Sequence, residues 1–188
     1  MTLPISIPTL RTERLVLRAP QEADFDAMAT FLASDRARFL GGPADADMAW
    51  DSLLAGIGHW ALRGYGFFSV DTAEGEFVGR VGVIFNHGWP EPELAWHVYA
   101  NGEGKGYAFE AALSVRDWAA GSGLGPLISM IDPDNARSIA LAERLGAVWE
   151  RDYDHPRWGR TPIYRHPAGT VSAPRRDPDA IRTPGEDA

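Results

Sequence analysis

The chain has 188 residues, of which 45% are hydrophobic, and a formal net charge of −8. This length and composition predict one globular domain with a sizeable core. The absence of cysteine excludes disulfides, thiolate metal sites and a cysteine nucleophile. The negative charge disfavours nucleic-acid binding, which needs many Lys and Arg contacts with phosphates. The five histidines contain no H-x-x-x-H pair, so we predict no metal site.

Hydrophobic periodicity predicts alternating strands and helices along most of the chain. The predicted strands cover 12–18, 65–70, 77–85, 93–99, 127–131, 148–153 and 161–165, and the predicted helices cover 22–33, 45–62, 107–119 and 136–145. Asp45 or Asp47 is expected to cap the second helix, and Gly146 to end the fourth. Gly79 and Gly82 indicate a bulge or a close backbone neighbour inside the third strand.

The two ends of the chain carry no signal for export or for a membrane. No charged segment leads into an apolar run, and no stretch approaches about 18 apolar residues, so we expect a cytoplasmic protein with no membrane span. From Pro167 onward the composition is rich in Pro, Gly and charge. We therefore expect a folded domain over 1–166 and a tail over 167–188, in a monomer or a homodimer.

Three glycines at alternate positions, Gly102, Gly104 and Gly106, separate a predicted strand from a predicted helix. Glycines let the backbone approach a ligand closely, and the first N–H groups of a helix are unpaired, so this layout predicts an anion site suited to a pyrophosphate. Lys105 is the only lysine of the chain, and its ammonium is placed to reach a phosphate oxygen. An ordinary strand-to-helix turn is the competing interpretation.

Two other phosphate-binding motifs do not match this loop. A Walker loop requires Ser or Thr directly after its lysine, where this chain has Gly106. A Rossmann fingerprint requires G-x-G-x-x-G after an early strand and an acidic residue about 20 positions later. The spacing here is G-x-G-x-G, and it comes past the middle of the chain.

A second motif follows at 132–147, DPDNARSIALAERLGA. Together with the glycine loop, it resembles the GNAT superfamily of acyl-CoA-dependent N-acetyltransferases, with most similarity to the branch of ribosomal-protein-alanine N-acetyltransferases. The resemblance covers about residues 11–166. Asn101 departs from the Gln or Arg that usually begins the family's loop motif, whereas Gly104 and Gly106 match it.

The resemblance implies an α/β (α+β) fold with a mixed, mostly antiparallel sheet of about six or seven strands, splayed between the fourth and fifth, and about four helices. It implies acetyl-CoA as cosubstrate, no metal, and an amine substrate that is a small molecule or a protein N-terminus. The expected cofactor-binding residues are Val98, Tyr99, Glu103, Gly104, Lys105, Gly106, Tyr107, Ala108, Asn135 and Ser138.

The proton transfers need an acid and a base. Many family members place a tyrosine where this chain has Ala142, so the resemblance carries the acid onto Ser138, which is equally explained as a residue of the helix N-terminus. Strand alternation places Glu93 and His97 on one face, and Glu93 is the first choice of base. The other candidates, in order, are His97, His87, and then His155 and Asp154.

The pKa of the acceptor separates two classes of amine. Deprotonating a lysine amine of pKa about 10.4 at neutral pH costs roughly 4.6 kcal/mol, whereas an α-amine near 8 costs under about 1.4 kcal/mol. A weakly marked base therefore favours a peptide N-terminus or a small primary amine. Two alternatives remain open: a CoA-binding sensor or scaffold without turnover, and an enzyme that uses a longer acyl-CoA.

Overall fold

The computed structural model describes residues 5–155 and 158–170. These residues form one mixed sheet with helices on both of its faces. The strands are β1 Leu10–Arg11, β2 Leu15–Arg18, β3 Phe67–Thr72, β4 Phe77–Ile84, β5 Glu93–Val98, β6 Ile128–Met130, β7 Val148–His155 and β8 Gly159–Arg165. The α-helices are α1 Phe25–Leu32, α2 Ala46–Arg63, α3 Tyr107–Gly121 and α4 Ala136–Arg144, and the 3-10 helices are Glu22–Asp24, Asp35–Leu40 and Ala100–Gly102.

The strands lie in the order β1-β2-β3-β4-β5-β6-β8-β7. Each neighbouring pair is antiparallel except β5 and β6, which run parallel and share a single residue pair, Glu93 with Ile128. The predicted mixed, mostly antiparallel fold is therefore confirmed, with eight strands because β1 is a separate two-residue strand. The predicted splay lies between β5 and β6.

Local signals place the helices where the sequence predicts them. The Asp45 side chain accepts from the Met48 amide at 2.9 Å and caps α2, which ends at Gly64 in a left-handed conformation. Gly146, which follows the C-cap residue Leu145 of α4, has a positive φ of 83°. The segment 35–40 is a 3-10 helix that the hydrophobic pattern does not reveal, although Ser34 caps it and the left-handed Gly41 ends it.

Among the described residues, buried side chains form three clusters, of which the smallest, Ile131, Ala142 and Ala147, lies beside α4, and the two larger ones are separated by the sheet. On the α3 face, Leu94 of β5 packs in the main core with residues of β2, β3, β4 and α3. On the opposite face, α1 and α2 cover a second core that reaches Tyr99 at the end of β5. Residues of β5 therefore alternate between the two cores, as predicted from strand periodicity.

The two glycines inside β4 are explained by close backbone contacts. A Cβ at Gly82 would lie 2.2 Å from the carbonyl oxygen of Gly66, and one at Gly79 would lie 2.2 Å from that of His97. Gly79 also has φ +152°, next to a register shift between β3 and β4. A side chain at either position would push the neighbouring strand away.

A buried ion network anchors α1 to the sheet. The Asp24 carboxylate, 2% exposed, accepts from both Arg18 terminal nitrogens, from the Ser69 hydroxyl at 2.6 Å and from the Gln21 amide at 2.9 Å. Arg18 also donates to Asp71 of β3 at 2.5 Å. A buried carboxylate is tolerated because its oxygens are paired in this way.

Within the described residues, no helix combines the length and apolar character that crossing a bilayer requires. Of the predicted tail, residues 171–188 lie outside the described part of the chain. The Thr170 amide donates to Asp117 of α3 at 2.8 Å, so the chain just after β8 runs along that helix.

Candidate active site

The loop between β5 and α3 has the backbone geometry that its glycines require. Gly104 and Gly106 have positive φ values of 74° and 79°, and Gly106 is the N-cap of α3. A Cβ at Gly104 would meet nothing within 4 Å, so this glycine is needed for its conformation and for open space around it. Arg14 supports the loop by donating to the carbonyl of Lys105 at 2.9 Å and to Glu110 at 2.7 Å.

The amides of this loop are free to bind a ligand. Within residues 5–155 and 158–170, the N–H groups of Gly104, Lys105 and Gly106 donate to no protein acceptor. The next amides begin α3, where the first N–H groups of a helix have no partner in their own helix. A run of unpaired amides at a helix N-terminus attracts anions.

Arginines surround the mouth of this loop. Arg36, from the 3-10 helix 35–40, and Arg137, from α4, both pair with the carboxylate of Glu103. Arg38 and Arg144 line the same cleft. In a chain of net charge −8, this local excess of guanidinium groups makes the cleft suited to phosphates.

The gap between β5 and β6 continues inward from the loop. Beyond the pair of Glu93 with Ile128, the two strands share no further ladder pair. The Leu94 carbonyl accepts from the Ser129 hydroxyl at 2.6 Å, so it points towards β6. Because backbone groups alternate along a strand, those of Trp96 and Val98 also point into the gap.

The loop and the gap form one cleft. Its outer part has a volume of about 350 Å³ and lies between the loop, the 3-10 helix 35–40 and α4. Its inner part has a volume of about 80 Å³ and lies between β5 and β6. Both parts are lined by Phe39, Leu40, Trp96, His97, Asn135 and Ser138.

Asn135 and Ser138 meet the cleft at the start of α4. The Asn135 side-chain oxygen accepts from the Ser138 amide at 3.2 Å and is the N-cap of the helix. The Ser138 hydroxyl accepts from the indole nitrogen Nε1 of Trp96 at 3.2 Å. Capping is therefore carried by Asn135, and the Ser138 hydroxyl lies on the cleft side.

Glu93 lines the inner part of the cleft and is 8% exposed. Its Oε1 accepts from the Met130 amide at 3.1 Å across the gap. Burial raises the pKa of Glu93 from 4.5 to about 8, against the opposite effect of this hydrogen bond. A carboxyl group of this pKa can take a proton from an amine near neutral pH.

His97 lies on the same face of β5 as Glu93 and is held from both sides. Its ring is stacked on Phe31 at 5.7 Å between centroids and tilted against Phe67 at 5.0 Å. Its Nδ1 accepts from Nε of Arg80 at 3.3 Å. Desolvation and the charge of Arg80 hold the pKa of His97 well below its usual range.

Three of the expected cofactor-binding residues do not line the cleft. Tyr99 faces the α1 side, with its amide donating to the Val78 carbonyl at 2.9 Å and its ring packed on Phe31. Lys105 is exposed, with Nζ 5.8 Å from the centroid of the Tyr107 ring. Tyr107, the third of these residues, packs against the main core at the start of α3. The remaining expected residues line it: Val98, Glu103, Gly104, Gly106, Ala108, Asn135 and Ser138.

The other candidate bases also lie outside the cleft. His87 is exposed in the loop before β5, and His155 is stacked on Trp158 at 3.9 Å between centroids. Asp154 is exposed on β7. Asn101 turns away as well, donating to Glu76 at 3.0 Å and to the Phe77 carbonyl at 2.9 Å.

A family model for the acetyltransferase (GNAT) domain matches residues 14–148, which is most of the chain. The chain belongs to the GNAT acetyltransferase family. This acetyltransferase is therefore an enzyme of a family whose general reaction is acetyl-CoA-dependent acetylation. No curated protein sequence matches it significantly.

Solved structures support the assignment. An acetyltransferase from Agrobacterium tumefaciens is 40% identical, with a TM-score of 0.79 over 88% of this chain and 98% of that one. A putative GNAT-family acetyltransferase from Bordetella pertussis is 30% identical, with a TM-score of 0.69 over 85% and 99% of the two chains. A ribosomal-protein-S5-alanine acetyltransferase from Vibrio fischeri shares the fold at 17% identity, with a TM-score of 0.64 over 88% and 100%.

The residues of this acetyltransferase fit the cosubstrate of its family. The unpaired amides at 104–106 and the arginines around them provide donors for phosphate oxygens, and the backbone of Trp96 and Val98 is open for an extended arm. Within the part of the chain that the structure describes, no three His, Cys, Asp or Glu side chains are grouped as metal ligands would be.

The part of the cleft wall that the 3-10 helix 35–40 forms was not predicted from the sequence. Arg36, Arg38, Phe39 and Leu40 all lie on the 3-10 helix 35–40 and line the outer cleft. Ser34 before this helix and the glycine pair after it were its sequence signal. Arg80, which contacts His97, gave no signal because a lone arginine in a strand does not reveal what lies opposite it.

Proposed function

We propose that this enzyme transfers acetyl from acetyl-CoA to an uncharged primary amine, with a peptide N-terminal α-amine or a small α-amine as acceptor. The observation that carries the proposal is the gap between β5 and β6, which opens directly onto the unpaired amides of the glycine loop. This arrangement suits a ligand with a diphosphate at one end and an extended arm at the other.

The cosubstrate supplies an activated acetyl group, and the amine nitrogen attacks its carbonyl carbon. A C–N bond forms, the C–S bond breaks, the amine loses a proton and the leaving thiolate gains one. The amide of Trp96 or Val98, which points into the gap, is the proposed donor to the developing oxyanion. One preorganised donor of this kind is worth about 3 kcal/mol.

Glu93 is the proposed base, because it lines the inner cleft and the pKa of its carboxyl group is raised to about 8. A base of this strength removes a proton readily from an α-amine, whose pKa is near 8, but only weakly from a lysine amine. The acceptor class proposed from the sequence therefore agrees with the environment of Glu93.

Ser138 is the proposed acid. Its oxygen accepts from Trp96 Nε1, so its own proton is available to a leaving group in the cleft. We also propose that the enzyme belongs to the branch of ribosomal-protein N-terminal acetyltransferases, because the serine that is the proposed acid in that branch corresponds to Ser138. A peptide N-terminus is then the acceptor of first choice.

An acceptor screen tests the proposal. Release of free CoA thiol from acetyl-CoA is measured over a panel of peptides with free α-amines, N-terminally blocked peptides containing lysine, and small amines, beside a titration of CoA binding. Faster turnover of the free α-amines at pH 7 is expected. Equal or faster turnover of the lysine peptides would contradict the acceptor class, and tight CoA binding without any turnover would favour a sensor.

A further inference from the structure

Arg80 of β4 carries a buried guanidinium, and among the described residues no carboxylate pairs with it. It is 6% exposed, and its terminal nitrogens contact Ser52 of α2 at 3.2 Å and the sulfur of Met28 of α1 at 3.9 Å. Nε and one terminal nitrogen both point at Nδ1 of His97, at 3.3 and 3.2 Å. A buried charge without a counter-ion polarises the group that it contacts most closely.

This contact fixes the tautomer of His97. Guanidinium N–H groups only donate, so Nδ1 of His97 must be the acceptor. The proton of the neutral ring is then on Nε2, for which the described residues provide no acceptor. Phe31 of α1 and Phe67 of β3 hold the ring in place, and the ring lines both parts of the cleft.

His97 is therefore a poor base. Accepting a proton would require losing the Arg80 hydrogen bonds and placing a second positive charge beside the first. Arg80 on the neighbouring strand contacts the ring, and Glu93 and Tyr99 lie on the same face of β5. The cleft that His97 lines also holds the charged side chains of Arg36, Arg38, Glu103, Arg137 and Arg144. Phe31 and Phe67 contact the ring, and α2 is linked to it through the contact between Ser52 and Arg80.

We infer that His97 Nε2–H is a specificity-determining donor to the carbonyl oxygen next to the reacting amine of the acceptor. The inference rests on the proposed function and assigns to it one recognition contact. A peptide N-terminus carries a carbonyl one carbon away from its α-amine, whereas a lysine ε-amine has none within reach. His97 lies on the α1 face of β5, whereas Trp96, which contacts Ser138 of α4, lies on the opposite face of the strand.

The position of Arg80 explains why this donor prefers an oxygen ligand. Its guanidinium contacts Nδ1, the ring nitrogen that is not the proposed donor, and Arg80 is not among the residues that line either part of the cleft. Hydrogen bonds whose donor is polarised by a charge are stronger in a low-dielectric site than in water. An acceptor without the carbonyl would leave a desolvated N–H unpaired, which costs binding free energy in the transition state.

The test compares two amines that differ in this carbonyl, alaninamide and isopropylamine, with kcat/KM expressed per concentration of uncharged amine. His97→Phe keeps an aromatic ring between Phe31 and Phe67 but removes the donor, and His97→Gln retains a donating N–H. The same change in the exposed loop, His87→Phe, is the matched control.

The wild type is expected to prefer alaninamide, and His97→Phe to lower the ratio of the two kcat/KM values about tenfold. His97→Gln should recover part of the preference, and His87→Phe should leave the ratio unchanged. An equal loss on both amines in His97→Phe would overturn the inference. A wild type that turns over neither of these amines nor any peptide with a free α-amine would overturn the proposed function and the inference with it.

A second measurement needs no turnover. Nitrogen-15 NMR of the imidazole in the wild-type protein should show the proton on Nε2 and no titration of His97 between pH 5.5 and 8. Arg80→Met removes the donors to Nδ1 but not the burial, so the variant should populate the Nδ1–H tautomer as well. A proton found on Nδ1 in the wild type would overturn the assignment of the donor, whatever the activity of the variants.

Discussion

The indole N–H of Trp96 donates to the hydroxyl oxygen of Ser138 across 3.2 Å, joining the central strand β5 to the first turn of α4. The bond uses the Ser138 oxygen as an acceptor and leaves its proton for another partner. It also fixes the side of the helix on which the hydroxyl lies. Ser138 is thus held at the cleft by a side chain from the opposite wall, while Asn135 performs the capping.

Ser138→Ala separates catalysis from capping. If the hydroxyl protonates the leaving thiolate, kcat should fall by roughly 10²-fold, while the free energy of unfolding falls only by the lost Trp96 hydrogen bond, about 1 kcal/mol. Asn135→Ala should also lose about 1 kcal/mol of stability, here through the lost cap. Steady-state kinetics and urea unfolding of both variants check this, and unchanged kcat in Ser138→Ala would remove Ser138 from the mechanism.

The raised pKa of Glu93 predicts a pH limb in the rate. With an acceptor amine whose own pKa is well below 7, kcat/KM of the wild type should rise with pH and level off above about 8, where the carboxylate is formed. Glu93→Gln should remove this limb and lower the plateau by roughly 10²-fold. Glu74→Gln, in the exposed turn between β3 and β4, is the control, and a limb that survives in Glu93→Gln would exclude Glu93 as the base.

The same group predicts how stability depends on pH. Between the unfolded pKa of 4.5 and the folded pKa of about 8, the folded state keeps a proton that the unfolded state has lost. Stability contributed by neutral Glu93 is therefore present below pH 4.5 and declines as pH rises, by at most about 1.4 kcal/mol per pH unit. Glu93→Gln should flatten this decline in urea unfolding measured from pH 5 to 8, and parallel curves for the two proteins would contradict it.

Gly104→Asp tests the anion site. The substitution adds a side chain and a negative charge beside unpaired amides, so CoA affinity should fall at least tenfold. Gly75→Asp is a matched control, because Gly75 also has a positive φ, of 89°, and open space around its Cα, but lies in the β3–β4 turn. Isothermal titration with CoA compares the two, and wild-type affinity in Gly104→Asp would show that the loop does not hold the diphosphate.

Asp24→Asn tests the network beneath α1. Removing the carboxylate leaves Arg18 without one partner in a site that is 2% exposed at position 24, and breaking such a pair costs about 3 kcal/mol or more. Asp152→Asn, which removes the partner of a largely exposed Arg160, should cost less than about 1 kcal/mol. Equal losses in urea unfolding would mean that burial does not decide the strength of these pairs.

The sequence by itself determined the elements and the glycine loop. Periodicity located the strands and helices, Asp45 and Gly146 marked helix ends, and the alternate glycines marked a strand-to-helix turn with free amides. Each of these features depends on residues close together in the chain, whose conformational preferences act locally. The alternation of side chains along a strand is also a local property, so the sequence could predict that His97 and Glu93 lie on one face of β5 and Trp96 on the other.

Only the tertiary structure decided which side chains meet at the cleft. Arg36 and Arg137 reach it from separate helices, and Arg80 of β4 meets His97 of β5. Tyr99, expected at the cofactor, instead packs its ring against Phe31 and Phe77. The raised pKa of Glu93 also depends on its burial in the folded chain. Such contacts arise from packing between segments far apart in sequence, and a local pattern contains no information about the partner.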